Sequence, residues 1–559
     1  MEASATQTGT KAGFSTGNSQ GISLLNPNYT AFDVIAGFNQ GFMQNKLTVN
    51  ATAGGSDTKY KYYSVEQATK NGLNVPDLYA ISNSKDQPTL TNNRFQWENR
   101  AIFGAVDVEW NKMVSATFAM RNDWYSILLP DNNSLLSPSA GLSFFFTDFT
   151  KDALPWLSYG KVFGSWGRKP TSGFGSGINP YSVNFSYPIN QNKWGTNYLT
   201  STPNQAIDPA IQGSLITTYE AGVDLKFKNN RYGLNVLYYN ETSEQAPFSV
   251  PISGYSGFST YLTNISLIKR TGLEIVGDAK IMSQKDFTWS ATANVGILLS
   301  NPVEETDTAG NRVQISTGAF FSGIVPPKVY QVKGKSWGQL IGTAIKRNSA
   351  GIAEVDPATG FYVGEANHDF GSVVPKFTGG LVNTLTYKNF ILNFSIDYQV
   401  GGKFFSLSEM WGTYSGLLAP TAATNDKGWN VRDDVALGGG VHVVGVSSID
   451  EKTPVDMYVG AQDYFHNLGG SNAISDYFIH SLTYVKLREL SVGYALPVEK
   501  FGSNWRWVKG ITASVVARNP LMIYRETRNF DPSEISGVYG EDGQFPGTRG
   551  LGFNLKFLF

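Results

Sequence analysis

Apolar and polar residues alternate along most of the chain with a period of two, which is typical of β-strands rather than helices. The C-terminal segment shows this pattern on both of its faces. One face carries Leu551, Phe553, Leu555, Phe557 and Phe559, and the other carries Gly550, Gly552, Asn554, Lys556 and Leu558. Many such segments are about ten residues long, which is the length that a tilted strand needs to cross a bilayer. The pattern therefore predicts strands whose two faces meet different solvents.

The same alternation predicts about fifteen strands, with ends placed to within ~2–4 residues. They span residues 31–40, 46–55, 98–109, 114–124, 139–149, 156–167, 216–227, 231–243, 262–282, 287–300, 376–387, 390–401, 480–496, 506–519 and 549–559. Short turns alternate with long segments, which cover residues 56–97, 125–138, 168–215, 244–261, 301–375, 402–479 and 520–548. Outer-membrane barrels have short periplasmic turns and longer extracellular loops. The expected fold class is all-β, a transmembrane antiparallel β-barrel with long extracellular loops.

The direction of the chain predicts that this barrel portion is incomplete. If residue 559 lies in the periplasm, residues 1–30 fall outside the cell as an extracellular loop or disordered start, and residues 31–559 form the barrel portion. The predicted strand count is odd, whereas single-chain bacterial barrels have an even number of strands. An open sheet edge in lipid leaves unpaired backbone groups that cost several kcal/mol each. We therefore expect earlier strands outside this chain to close the wall.

Composition agrees with a wall between lipid and water. Aromatic residues make up 13% of the chain and charged residues only 16%, against roughly 25% charged residues in soluble domains. The mean hydropathy is nevertheless −0.20, and no apolar run is long enough for a transmembrane helix. The net charge of −1 lacks the basic excess of a nucleic-acid-binding protein. Cysteine is absent, which excludes disulfides, zinc–thiolate sites and a cysteine nucleophile.

The N-terminus has no signal-peptide pattern, so we expect a removed leader or a longer gene product.

Several segments resemble one transporter family when they are taken together and in order. The most specific is YVKLRELSVGYALP at residues 484–497, followed by ARNPL at 517–521, FDPSE at 530–534 and the terminal Phe559. Upstream, similar family patterns occur at residues 137–143, 160–167, 219–224 and 270–275. From about residue 98 onward, the chain resembles the SusC/RagA branch of the TonB-dependent outer-membrane transporters.

The resemblance implies a fold and a function. The family barrel is similar to other plugged transporters of about 22 strands, so this chain would supply about the last fifteen. Its implied function is import of oligosaccharides or peptides across the outer membrane of a Gram-negative bacterium. The implied partners are a SusD-like surface lipoprotein, the TonB complex acting through a plug that is not in this chain, the missing N-terminal strands and outer-membrane lipid. No plug or TonB box is recognisable in the sequence, and no cofactor, metal site, nucleic-acid partner or enzymatic activity is expected.

Two other functions remain open from the residues alone. An outer-membrane barrel enzyme would need a catalytic cluster at the rim, and no such set stands out. The carboxylates Glu220, Asp224, Glu274, Asp278 and Asp397 alternate onto the polar faces, where a solvated lumen wall explains them. A surface glycan-binding protein or adhesin would be extracted without detergent, whereas a barrel would require it.

Aromatic residues in the predicted outer loops are the candidate ligand contacts, because large exposed rings in loops often mark a binding surface. The candidates are Trp194, Trp337, Trp411, Tyr414 and Trp429, with Tyr198, Tyr362 and Tyr464 as further loop aromatics. The alternative is that these rings pack against one another or against a partner protein. Aromatic residues near strand ends, Trp110, Trp124, Trp156, Tyr398, Trp505 and Trp507, are expected in interfacial girdles. Phe559 is expected to serve as the outer-membrane assembly signal.

Overall fold

The computed structural model contains a strand at every position where the alternation predicts one. It describes residues 2–8, 19–171, 187, 189–306, 312–316, 326–470, 474–498, 507–527, 529–535, 540–541, 543 and 546–559, so Trp505 lies outside the described residues. The long strands are β1 (Ser19–Phe42), β2 (Leu47–Leu73), β3 (Ser84–Trp110), β4 (Val114–Tyr125), β5 (Ser134–Phe145), β6 (Leu157–Thr171), β7 (Ser214–Phe227), β8 (Tyr232–Pro251), β9 (Thr260–Ser283), β10 (Phe287–Ser300), β11 (Phe377–Tyr387), β12 (Phe390–Val400), β13 (Tyr484–Leu496), β14 (Gly510–Arg525) and β15 (Gly550–Leu558).

Shorter elements lie between the long strands and before β1. The short strands are Glu2–Thr8, Ile189–Trp194, Asn197–Thr200, Gln205–Ile207, Val303–Glu305, Arg312–Ser316, Lys328–Val332, Gln339–Ile345, Glu354–Val355, Gly364–Ser372, Lys403–Ser406, Val441–Ser447, Pro454–Val459, Ile479–Ser481 and Gly540–Glu541. The α-helices are α1 (Thr147–Thr150), α2 (Leu407–Tyr414) and α3 (Ala461–Gly469). Among the described residues, no helix has the length and apolar character to cross a membrane.

The chain folds into two compact units. The first comprises residues 1–144, 164–219 and 243–265, and the second comprises residues 145–163, 220–242 and 266–559. In the first unit, β1 to β5 form an antiparallel meander in sequence order. In the second unit, β9 to β15 form another antiparallel meander.

Tight turns join neighbouring strands at one end of each meander. Residues with positive φ occupy these turns, including Asn45 between β1 and β2, Asn111 between β3 and β4, and Lys388 between β11 and β12. Asparagine tolerates this left-handed region better than most residues, because its side chain can bond to the local backbone. These three turns lie between segments that the alternation predicts to be neighbouring strands.

The two faces of each meander differ in chemistry. In the first unit, one row of register partners consists of Phe38, Ala51, Val106, Phe118 and Ala140, and the adjacent row consists of Asn39, Asn50, Asp107, Thr117 and Gly141. Thr117 donates a 2.6 Å hydrogen bond to Asp107 within the polar row. The apolar row is largely exposed, which is costly in water and favourable in hydrocarbon.

The second unit repeats this arrangement at the C-terminus. Leu392, Val492, Val515 and Phe553 are register partners in one row, and Gly493, Ser514 and Asn554 are partners in the adjacent row. Phe553 is 70% exposed. Phe559 follows the end of β15 and stacks on Trp507 with ring centroids 5.3 Å apart. Exposed aromatic rings at strand ends are typical of the interfacial girdles of membrane barrels.

The predicted loops contain more regular structure than the alternation indicated. Segment 56–97 was expected to be a loop, but β2 and β3 continue through it as a paired hairpin. Tyr62 stacks on Phe95 at 4.6 Å across this hairpin, and such cross-strand aromatic pairs stabilise paired strands. β1 also begins at Ser19 rather than at residue 31.

Candidate functional site

Three long segments of the second unit leave from the same ends of their strands. They connect β10 to β11, β12 to β13, and β14 to β15. Because neighbouring strands are antiparallel, alternate connections emerge at one end of the meander. The tight turn after β11 lies at the opposite end. We call these three segments, residues 301–376, 401–483 and 526–549, the loop region.

The loop region has a hydrophobic core of its own. Its buried members include Val329, Leu340, Val355, Phe405, Met410, Val443, Ile474 and Phe478. Ser406 caps α2 by accepting a hydrogen bond from the Glu409 amide, and the acceptor stabilises an otherwise unpaired helix N-terminus. A fully buried phenylalanine contributes about 1.5–3 kcal/mol. This segment therefore folds as a packed body rather than as an open loop.

The predicted ligand aromatics occupy different places in the structure. Trp337 and Trp411 are half-buried and pack on the core of the loop region. Tyr414 lies edge-on to Trp411 at 5.3 Å and parallel to His466 at 4.5 Å. Trp429 is exposed and covers Gly438. Contact of these four residues with a ligand stays a prediction.

Trp194 lies in the first unit, at the end of the hairpin strand Ile189–Trp194, and is highly exposed. Tyr198, on the facing strand, has the ammonium of Lys193 4.3 Å from its ring centroid. Of the additional loop aromatics, Tyr464 is buried beside Tyr362. Burial raises the pKa of Tyr464, and the neighbouring Tyr477 hydroxyl raises it further, so the phenol stays protonated.

A cavity of about 620 Å³ lies in the loop region, beside the end of α2 and the start of α3. It is lined by Tyr414, Ser415, Gly416, Thr421, Arg432, Asp433, Asp434, Val435, Gly460, Ala461, Gln462, Phe465 and His466. Ligand sites commonly enclose 300–1,000 Å³ and combine apolar walls with a few polar groups. We call this the loop cavity, and it is the candidate ligand site.

The guanidinium of Arg432 is held in place within this cavity. Its Nε donates to the Thr421 carbonyl at 2.8 Å, and its Nη2 donates to the Thr421 hydroxyl at 2.8 Å and to the Gly416 carbonyl. Each neighbouring carboxylate also has one backbone partner. Asp433 accepts from the Asn430 amide at 3.1 Å, and Asp434 accepts from the Ala436 amide at 2.9 Å. The polar groups are therefore positioned before any ligand arrives.

The segments that resemble the transporter family meet at a charged network beneath the loop region. Lys486 of the 484–497 segment is buried, with its side chain 3% exposed, and its Nζ lies 2.5 Å from Asp531 and 3.4 Å from Glu534. Arg488 bonds to Asp397 at 2.9 Å and lies 3.4 Å from Glu534. We call this the charged latch. It ties the last long segment to strand β13, because a buried ammonium needs anionic partners.

Burial raises the pKa of Asp531, but hydrogen bonds from Lys486 and Ser533 and the ammonium charge outweigh it. The pKa of Asp531 therefore lies below its ordinary value, and the carboxyl is ionised at neutral pH. This favours the ion pair, which satisfies the buried lysine.

A second buried carboxylate joins the last segment to α2. Glu541 is 1% exposed and accepts hydrogen bonds from the Ser406 hydroxyl, the Ser408 amide and the Ser408 hydroxyl. The adjacent Gly540 has φ +151°, and a side chain there would lie 2.1 Å from the Phe405 carbonyl oxygen. Only glycine permits this close approach. Glu409 of α2 completes the connection by bonding to His480 and, at 2.7 Å, to Asn529.

Sequence reasoning identified Tyr414 but missed the polar residues of the loop cavity. Arg432, Asp433 and Asp434 are consecutive charged residues in a long segment, and together with Gln462 they resemble ordinary solvated surface. His466 stands apart from the other three histidines of the chain, and nothing near it in the sequence indicates a binding role. The one available signal was Ser406-Leu407-Ser408-Glu409, a capping-box pattern that predicts the start of α2.

The geometry can now be compared with known proteins. The family described as "TonB dependent receptor-like, beta-barrel" matches residues 3–519. The TonB-dependent receptor SusC of Bacteroides thetaiotaomicron is 25% identical over 489 residues, which cover 82% of this chain and 43% of that protein. TonB-dependent receptor P3 of Formosa agariphila is 22% identical over 492 residues, which cover 82% of this chain and 45% of that protein. The chain thus spans under half the length of these curated relatives.

Solved structures give the same fold. A chain of the RagAB peptide transporter superposes with a TM-score of 0.74 at 18% identity, covering 99% of this chain and 57% of that one. A chain of the RagAB peptide importer in its open-open state superposes with a TM-score of 0.76 at 17% identity, covering 100% and 57%. The all-β barrel fold class and the SusC/RagA resemblance expected from the sequence are confirmed.

Proposed function

Because this chain belongs to the TonB-dependent receptor-like β-barrel family, whose members are outer-membrane proteins, we propose that it forms part of the wall and outer loops of an outer-membrane importer of oligosaccharides or peptides. One observation carries the proposal. The second unit combines strands that have one apolar, lipid-type face with a folded loop region that contains a polar cavity. The strands supply a path through the bilayer, and the cavity supplies a place where a solute is selected.

The proposed mechanism assigns no bond chemistry to this chain. A plug domain outside the chain gates the lumen and is pulled by the TonB complex. A SusD-like surface lipoprotein covers the loop region and delivers substrate to it. The earlier strands of the barrel close the wall, and Phe559 serves as the assembly signal. The relatives are receptors rather than enzymes, which supports transport over hydrolysis at the rim.

Uptake in the native host tests the proposal. The gene is deleted and then restored, and entry of fluorescent oligosaccharides and peptides into the periplasm is measured with and without a protonophore. We expect deletion to abolish uptake of one class, and the protonophore to have the same effect, because TonB-driven transport needs the proton gradient. Unchanged uptake of both classes, or recovery of the protein in the detergent-free soluble fraction, would overturn the proposal.

The lipoprotein partner is tested separately. Affinity purification of the tagged protein from detergent-solubilised outer membranes should recover a SusD-like lipoprotein. Recovery of the barrel without such a lipoprotein under mild detergent would contradict the proposed partnership and leave the transport test unaffected.

A further inference from the structure

We infer that the loop cavity binds an uncharged oligosaccharide, and that it does not bind a peptide terminus or an acidic sugar. The inference rests on the proposed import function and selects between its two substrate classes. It follows from the hydrogen-bonding state of Arg432, the charge balance of the lining and the aromatic wall of the cavity.

Arg432 lacks the edge that would capture a carboxylate. A guanidinium grips a carboxylate through two parallel N–H groups on adjacent nitrogens. In the loop cavity, Nε and Nη2 already donate to Thr421 and Gly416. Of the five N–H donors, only the two on Nη1 remain, and they share one nitrogen. Arg432 therefore suits single hydrogen bonds to hydroxyl groups rather than a two-pronged bond to a peptide C-terminus or a uronate.

The charges of the lining disfavour anionic ligands as well. Asp433 and Asp434 line the cavity together with Arg432, so carboxylates outnumber the guanidinium. One oxygen of each carboxylate accepts a hydrogen bond from a backbone amide. The second oxygen can accept a hydrogen bond from a ligand. Hydroxyl groups both donate and accept hydrogen bonds, so a polyhydroxylated ligand can satisfy the arginine and the carboxylates at once. An added carboxylate would face two like charges.

An aromatic wall completes the site. The rings of Tyr414 and His466 are 4.5 Å apart and 17° from parallel, and Phe465 also lines the cavity. Trp411 supports Tyr414 from the core of the loop region. The parts of these rings that line the cavity lie beside the polar groups of Arg432, Asp433 and Asp434, and such a mixed lining suits the C–H and hydroxyl groups of a sugar ring. A peptide that binds by strand addition would instead need a strand edge with free backbone groups, and none of the residues lining the loop cavity lies in a strand.

Binding to the protein purified in detergent from outer membranes, together with the strands that close its barrel, tests the inference. The probes are the neutral tetrasaccharides maltotetraose, cellotetraose, laminaritetraose and xylotetraose, the acidic tetragalacturonate, and the peptide tetra-alanine. We expect at least one neutral tetrasaccharide to bind, and we expect neither tetragalacturonate nor tetra-alanine to bind. His466→Ala should weaken that binding by about tenfold or more. His368→Ala is the matched control, since His368 is also exposed but does not line the loop cavity, and it should leave affinity unchanged.

Three results would overturn the inference. These are binding of tetragalacturonate or tetra-alanine that His466→Ala weakens, failure of every neutral tetrasaccharide to bind, and equal effects of His466→Ala and His368→Ala. Heat-modifiable migration on gels shows that each variant is folded. If tetra-alanine binds this cavity while uptake in the host still depends on the gene, the sugar inference fails and the import function stands. If a neutral sugar binds but uptake is unaffected by deletion, the import function fails alone.

Discussion

Two valines in the second unit are almost equally exposed but meet different solvents. Val515 in β14 is 49% exposed, and its register partners Val492 and Phe553 are exposed with it. Val444 in the loop region is 54% exposed, but the neighbouring Val443 is fully buried in the core. In the strands, apolar side chains point outward in rows, whereas in the loop region they point inward.

This difference shows what each region is built to contact. The outward rows are stable only where hydrocarbon replaces water, because soluble proteins rarely expose large continuous apolar surface. The inward packing of the loop region is stable in water for the ordinary hydrophobic reason. A single chain can therefore expose apolar side chains in one region and bury them in another, when the first region lies in lipid and the second in water.

The largest effect is expected from the core of the loop region. Phe405→Ala removes a side chain that is 1% exposed and should destabilise the loop region by about 3–5 kcal/mol. Limited proteolysis would detect this as cleavage within residues 401–483, while heat-modifiable migration shows that the strands remain assembled. Leu417→Ala, at an exposed position in the same segment, should change stability by less than about 0.5 kcal/mol. Similar protease sensitivity in both variants would argue against a packed loop core.

Replacing each of the two exposed valines with arginine distinguishes a lipid-facing position from a water-facing one. Val515→Arg should lower the unfolding free energy by about 2–4 kcal/mol, because the charge is forced into the bilayer midplane. Val444→Arg should change it by no more than about 0.5 kcal/mol, because the charge enters water. Urea titration of the protein refolded into lipid vesicles measures both values. Equal costs at the two positions would remove the distinction between the regions.

The stability that the charged latch contributes should depend on pH. Asp531→Asn weakens the partner of the buried Lys486 and should cost about 2–3 kcal/mol, somewhat less than breaking a fully isolated buried pair, because Glu534 remains nearby. The pKa of Asp531 is lowered in the fold, so its stabilisation is complete above the unfolded value of about 3.9. It is lost as pH falls through the folded value. The stability difference between wild type and variant should therefore begin to shrink below about pH 4 and close only below the folded pKa of Asp531. A difference that stays constant with pH would contradict this.

The smallest stability effect is expected at the C-terminus. Phe559→Ala removes the stacking on Trp507 and should cost only about 0.5–1 kcal/mol. If Phe559 is the assembly signal, the fraction of protein reaching the outer membrane should nevertheless fall severalfold. Quantitative blotting of membrane fractions checks this, with Leu558→Ala as the neighbouring control. Unchanged assembly would show that the terminal ring has only a packing role.

The strands could be predicted because two solvents impose a strict period on each of them. In β15, one face runs from Leu551 to Phe557 in steps of two, with polar residues or glycine between them, and no tertiary knowledge is needed to see it. Asparagines at turns such as Asn111 also mark the strand ends. The long hairpin of β2 and β3 was missed although Tyr62 and Phe95 alternate with polar residues, because strands of 27 residues far exceed the roughly 9–11 residues that a tilted bilayer span needs.

The loop region could not be predicted in the same way, because its order arises from contacts between distant residues. Glu541 is buried and accepts hydrogen bonds from Ser406 and Ser408, which lie 135 and 133 positions earlier in the chain. The loop cavity combines Tyr414, Arg432 and His466 from separate turns and helices. Aromatic content pointed to Tyr414, but nothing local distinguished Arg432 from a solvated surface residue.

The most direct test of the two-solvent wall is a nitroxide scan along β14. Because the chain contains no cysteine, single cysteines at residues 512–517 can each be labelled without background. In lipid vesicles, labels at 513, 515 and 517 should be relaxed by oxygen dissolved in the bilayer. Labels at 512, 514 and 516 should instead respond to a water-soluble nickel chelate. An accessibility profile that does not alternate between the two reagents would contradict the account.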